Sequence, residues 1–235
     1  MEIKKHLLTY TLEFFVILLG ISLSFYLERK NDSDYKEELK NQSLNRISNN
    51  LIMDLRDMEF NAKAHTKASE AIAWLVKNNH NLLNLPKDTV GLKISQAVSI
   101  ATIFVDNQEE YRALQNSGLI ELIELEEVVL AIQNKYKSHD FYKKIEDMIV
   151  NQGSELRPYM YQNTQLKNEL LDELGFHEGR VFTGTEPIPN TILERLKDKK
   201  WIHDFYQNRI QDRIKKDSAL QELIHQELQK DPHLN

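Results

Sequence analysis

Apolar residues are distributed very unevenly along this chain. From Leu7 to Leu27 they form an almost unbroken run, LLTYTLEFFVILLGISLSFYL, preceded by Lys4 and Lys5 and followed by Glu28-Arg29-Lys30. As a helix rising about 1.5 Å per residue, the run reaches roughly 30 Å, enough to cross the hydrocarbon core of a bilayer. A cleaved signal peptide has a shorter apolar stretch, about 7–15 residues, that ends in a small-residue site. Here the one candidate site, Ser22-Leu23-Ser24, lies inside the stretch. The pattern predicts a retained membrane anchor over residues 1–30 and an extramembrane domain over residues 31–235.

After the run, apolar positions recur at intervals of three and four, the spacing of one helical face. Leu44, Ile47, Leu51, Leu55, Met58 and Ala62, continued by Ala68, Ile72 and Val76, predict a helix from Ser33 to Lys77. No breaker separates it from the apolar run, so the two should be nearly continuous. Asn78 to Pro86 reads as a loop, Asp88 to Phe104 as a shorter helix, and Asn107 to Asn116 as another. Ser117-Gly118 stops the last of these, because glycine takes the left-handed conformation that follows a helix end. Leu125 to Tyr136 and His139 to Asn163 are two further helices, the second bent or interrupted near Pro158. Leu166 to Leu174 reads as helical up to Gly175, and Val181-Phe182-Thr183 as a short extended piece. A long final helix starts at Asn190, a plausible N-cap, and ends before Pro232. Its stripe is Leu196, Ile202, Phe205, Ile210, Ile214, Leu220, Ile224 and Leu228. The expected fold is all-α: an N-terminal transmembrane helix, then an antiparallel helical-bundle-like domain whose first and last long helices pack through their stripes.

Composition narrows the function classes. The net charge is −6 and acidic and basic residues are interspersed. No basic stripe is present, so nucleic-acid binding has no electrostatic support. The chain has 0 cysteines, which excludes disulfides, thiolate metal sites and thiol nucleophiles. The histidines show no metal-ligand spacing, and HExxH, phosphate-loop, dinucleotide-binding and G-x-S-x-G patterns are missing. We therefore expect no catalytic, cofactor-binding or metal-binding residue, and no cofactor. His225-Gln226-Glu227 reads as a solvated helix face. Glu121, Glu124, Glu126 and Glu127 flank a helix start, where negative charge is favourable. Tyr159, Tyr161, Phe205 and Tyr206 read as core, and Lys199-Lys200-Trp201 as a basic-aromatic spot able to touch headgroups.

Within the anchor the small and polar residues share a side. At about 100° per residue, Thr9, Gly20, Glu13 and Ser24 fall within about 60° of one another. Gly20-x-x-x-Ser24 is a small-xxx-small pattern that lets helices approach closely in lipid. These four residues are the expected helix–helix interface in the membrane. Glu13 lies roughly 9 Å into the run. Three readings of it stay open: protonated or reaching the headgroups, bonding across a helix interface, or lining an ion or proton path.

Two stretches resemble a family of bacterial single-pass, mostly helical membrane proteins known as a domain of unknown function. The first is the anchor Tyr10, Glu13 and Gly20. The second is Tyr111, Leu114, Ser117 and Gly118, followed by Leu122, Ile123 and a helix ending at Tyr136. The chain departs from that pattern at Leu12, where the family has glycine, and at the exit Leu27-Glu28-Arg29-Lys30. The resemblance implies the anchor and the helical fold, and no catalytic residue. Positive residues near the anchor slightly favour a cytoplasmic domain. The family's more basic N-terminus implies the opposite, and we expect a bacterial inner-membrane protein with a periplasmic domain. The expected function is non-enzymatic: a membrane-tethered helical scaffold or sensor working through protein–protein contacts. The expected partners are the lipid bilayer and a second copy or another membrane protein. The alternative is a small homo-oligomeric channel or membrane effector using the Glu13/Gly20/Ser24 stripe.

Overall fold

The computed structural model describes residues 2–167 and 179–230, with the side chains of residues 2–9 and Thr11 left aside. The described residues are mostly helical, as the periodicity predicts. Helix α1 spans Glu2–Asn78, 77 residues without a break. A 3-10 turn over Asn79–Asn84 leads to α2, Lys87–Ser99. Helix α3, Glu109–Asn116, is followed by a second 3-10 turn, Leu119–Leu122. Then come α4, Glu126–Lys137, and α5, His139–Asn163. The short strands β1, Thr164–Leu166, and β2, Arg180–Phe182, pair antiparallel before α6, Asn190–Gln229. Most of the expected helix from Leu166 to Leu174 lies outside the described residues.

The apolar run and the helix after it form one rod. Among the described residues no helix is long and apolar enough to cross a membrane. Leu7, Leu8, Thr9 and Thr11 of the run are outside the described side chains.

Helices α1 and α6 pack antiparallel along most of the domain, and on each a series of the buried positions, though not all of them, follows a strict rhythm. On α1 they are Lys40, Leu44, Ile47, Leu51, Asp54, Met58, Asn61, His65, Ala68, Ile72 and Leu75. On α6 they are Leu196, Lys199, His203, Tyr206, Ile210, Arg213, Asp217, Leu220, Ile224 and Glu227. Every step is three or four residues, alternating, which is the seam of a coiled coil. Leu44, Ile47 and Leu51 meet Leu220 and Ile224 at one end, while Ile72 and Leu75 meet Leu193 and Leu196 at the other. Met58 packs with Ile202, Tyr206 and Ile210 between them. Helices α4 and α5 run along α6 as a third, jogged column. The remaining elements close the bundle.

Three local outcomes differ from the sequence reading. Helix α2 stops at Ser99, and Ile100–Gln108 is an irregular strip rather than the rest of a helix to Phe104. Its backbone is held by distant side chains: Phe104 N–H donates to Glu146 Oε1 at 2.8 Å, and Lys143 Nζ donates to Phe104 O at 2.6 Å. Those bonds replace the ladder that a helix would have supplied. Helix α5 runs unbroken through Pro158, which faces solvent, so the carbonyl it leaves unbonded can meet water. Asn190 opens α6 as its first residue after Pro189, with no side-chain cap bond. Gly118 has φ 73°, the left-handed conformation expected where α3 ends.

Candidate functional site

A coiled-coil seam is normally apolar, and this one carries a polar residue at nearly every level. At the end nearest the apolar run, Glu227 accepts the backbone N–H groups of Glu124 (2.8 Å) and Leu125 (3.0 Å), the N-terminal approach to α4. Its carboxylate also lies 3.5 Å from Lys40 Nζ. This corrects the reading of His225-Gln226-Glu227 as a solvated face: Glu227 turns inward because α4 needs an acceptor at its start. Glu126 and Glu127 do fall in the first turn of α4.

The next level is a closed array of two cations and two carboxylates. Lys135 Nζ, from α4, lies 2.7 Å from Asp54 Oδ2 and 2.8 Å from Asp217 Oδ2. Arg213 Nε lies 2.8 Å from the other oxygen of Asp217, and its Nη1 donates to Ser138 Oγ at 2.7 Å. Burial pushes the Asp54 carboxyl up, and Lys135 opposes the shift. One further level along, Tyr206 donates to Glu146, which also holds Phe104 N–H and lies 3.0 Å from Lys143 Nζ. Burial first, then the Glu146 charge, pushes the Tyr206 hydroxyl far up, so it stays a donor.

The fourth level pairs two imidazoles. His65 Nδ1 and His203 Nδ1 lie 2.7 Å apart, and His65 Nε2 lies 3.0 Å from Thr102 Oγ1. Two ring nitrogens this close require one proton between them, so at most one ring can donate there. Among the described residues His203 Nε2 has no hydrogen-bond partner. Leaving a lone pair unpartnered costs less than burying an unpartnered N–H, so His203 is assigned as the Nδ1 donor and His65 as the Nε2 donor to Thr102. Burial holds His65 down to about 4 and His203 well below the ordinary histidine range; the neighbouring His65 ring and Lys199 add to the latter shift. A base of such low proton affinity is poorly suited to activating the Thr102 hydroxyl. The contact is structural, closing the Ile100–Gln108 strip onto α1.

Lys199 completes the seam. It is wholly buried and donates to Val98 O at 2.6 Å; burial, then the Arg157 charge, brings its amine down to about 7. It passes Gly153, where an added Cβ would lie 3.1 Å from Nζ. This corrects the headgroup role expected for Lys199-Lys200-Trp201: Lys199 points inward and Trp201 alone is strongly exposed. Tyr206 is core as expected and Tyr159 is half-buried, whereas Tyr161 lies at the surface.

A groove of about 600 Å³ opens between α4, α5 and α6. Arg213, Lys135 and Asp217 form its charged floor, and Phe141, Tyr142, Arg209 and Lys216 form its walls. Of its lining, Leu220 belongs to the α6 stripe noted in the sequence, while its cations fall between the apolar positions of that helix.

The expected membrane interface is placed but not partnered. Glu13, Gly20 and Ser24 are exposed on α1, and an added Cβ at Gly20 would meet nothing within 4 Å. The side chain of Thr9 is outside those described. Among the described residues no group of three or more His, Asp or Glu side chains is arranged to hold a metal ion. Compared with protein-family models, curated proteins and solved structures, the chain matches none.

Proposed function

We propose that the protein is a membrane-tethered helical scaffold or sensor that acts through contacts with other proteins. In this reading Leu7–Leu27 inserts in the bacterial inner membrane and the domain stands on its outer side. One observation carries the tether. Between Tyr10 and Leu27, thirteen large apolar side chains are exposed on all sides of α1, whereas the same helix is packed from Lys40 onward. Transfer of that many side chains from water to an apolar phase is worth on the order of 20 kcal/mol. A helix apolar all round has no face to give to water. The seam supports a scaffold: its titratable groups bond side chains and backbone within the bundle, and of its α6 members Arg213 and Asp217 also face the groove between α4, α5 and α6.

Alkaline carbonate extraction of membranes tests the tether. The full chain should stay in the pellet and a chain lacking residues 2–30 should be released; release of both would overturn the reading. Protease added to spheroplasts should digest the domain, and full protection would place it in the cytoplasm instead. A second reading is a homo-oligomeric channel built on Glu13, Gly20 and Ser24, which lie exposed on α1 with the rest of the apolar run. A ring-like oligomer of the detergent-solubilised protein would favour the channel, and a monomer the tether.

A further inference from the structure

We propose that the groove between α4, α5 and α6 seats an acidic amphipathic helix of a partner protein. This deepens the scaffold reading, on which its protein–protein character rests, but it does not depend on the anchor.

Shape comes first. Arg209, Arg213, Lys216, Leu220 and Leu223 line the α6 side at steps of four and three, about 21 Å of one helix face. On the opposing side Ala131, Asn134, Lys135 and Ser138 lead to the larger Phe141 and Tyr142, so the groove has aromatic side chains at one end. The walls are helices whose backbone groups are already bonded internally. They offer no sheet edge to an extended strand, so an occupant must satisfy its own backbone, as a helix does.

Charge selects the occupant's chemistry. Lys135, Arg209, Arg213 and Lys216 line the groove against a single carboxylate, Asp217, and Lys135 and Arg213 already share that carboxylate. Among the described residues no carboxylate lies within ion-pair distance of Arg209 or Lys216. A cationic concavity thus stands on a chain of net charge −6. Seven residues separate these two free cations, two helical turns, so carboxylates two turns apart on a partner helix would meet both.

An aromatic patch continues the groove. Phe205 stacks on Trp201 at 5.5 Å, meets Phe141 edge-on at 6.3 Å and carries the Arg209 guanidinium 5.2 Å from its ring centre. Trp201 is 63% exposed and Phe141 45%, large for aromatic side chains without a role. Tryptophan, tyrosine and arginine are the residues that anchor protein interfaces. Two free cations cannot neutralise a nucleic-acid backbone. The bilayer is also out of reach, because about 20 Å of α1 separates Leu27 from Lys40, the level of the groove's nearer end.

The test uses the full chain solubilised in a zwitterionic detergent, so it runs whether or not the apolar run inserts in a bilayer. The probe is a fluorescein-labelled 18-residue amphipathic peptide with glutamates seven apart beside leucine and phenylalanine; its counterpart has lysine in place of glutamate. The acidic peptide should bind saturably, one per chain, and the lysine peptide should not. Arg209→Glu with Lys216→Glu should weaken the acidic peptide at least ten-fold and admit the lysine peptide. Trp201→Ala should weaken the acidic peptide without admitting the other. These three residues are exposed, so an unchanged circular-dichroism melt excludes unfolding as the cause. Absence of saturable binding, or equal binding by wild type and double variant, overturns the proposal. So does dimerisation of the wild type that the double variant abolishes, which would assign the groove to a second copy. Loss of carbonate resistance would sink the tether and leave this assay untouched.

Discussion

Lys199 carries the clearest energetic signature of any single residue. Its amine is buried against Val98 O and Gly153, with the Arg157 charge adding to the effect of burial and, among the described residues, no carboxylate in ion-pair range. The unfolded chain binds a proton at this amine below its ordinary value of 10.5, whereas the folded chain resists until about 7. Stability should therefore fall as pH drops from 10.5 to about 7, and then level off with respect to this group. His65 adds a second window of the same sign, from 6.5 down to about 4. Replacing Lys199 with methionine keeps the stem's packing and removes the proton. Chemical denaturation across a pH series should show Lys199→Met flat over the upper window while still losing stability over the lower one. An unchanged upper slope would show that the amine is not what titrates there. None of this was legible in the sequence, because a lysine within a 3–4 spacing looks the same whether it points inward or outward.

At the scale of elements the sequence was far more informative. The extent of α5, the stop at Gly118 and both ends of α6 follow from breakers and periodicity, although Asn190 makes no cap bond. The first helix and the last do pack through their faces. What escaped was the composition of those faces: Asp54, Asn61, His65, Arg213, Asp217 and Glu227 stand in the seam at positions that an apolar count leaves out. The end of α2 was also misplaced, since the apolar spacing continues to Phe104 while the backbone is taken over by Glu146 and Lys143, from α5. The polar levels fix how α1 and α6 align, because a slide of one heptad would put Lys40 opposite Leu220, leave it only Glu37 of its own helix, and take Glu227 away from the start of α4. A second device lies at the distal end. An added Cβ at Gly91 would fall 2.0 Å from Arg180 O and 2.8 Å from Phe182 N, so α2 and β2 are in backbone contact. Gly91→Ala must push the strand away, and should lower stability by about 1–3 kcal/mol in a denaturant melt. A neutral result would mean that the β1–β2 pair yields without cost.

For the molecule as a whole, the unbroken course of α1 has a mechanical consequence. Between Leu27 and the first packed turn lie residues 28–36, all exposed and all helical, about 13 Å of stalk without a glycine or proline. With the apolar run held in a bilayer, such a stalk sets both the height of the domain above the lipid and the compass direction in which its groove faces. One inserted residue would turn the domain by about 100° and raise it by about 1.5 Å; seven would raise it by about 10 Å with almost no net turn. Energy transfer from a dye near Lys230 to acceptors in the headgroups should record that 10 Å step for seven inserted alanines. A height that does not change would mean that the stalk bends. If it stands, a partner anchored in the same membrane must present its acidic helix at one altitude and from one bearing, and a two-residue insertion, about 200°, would turn the groove's back to it.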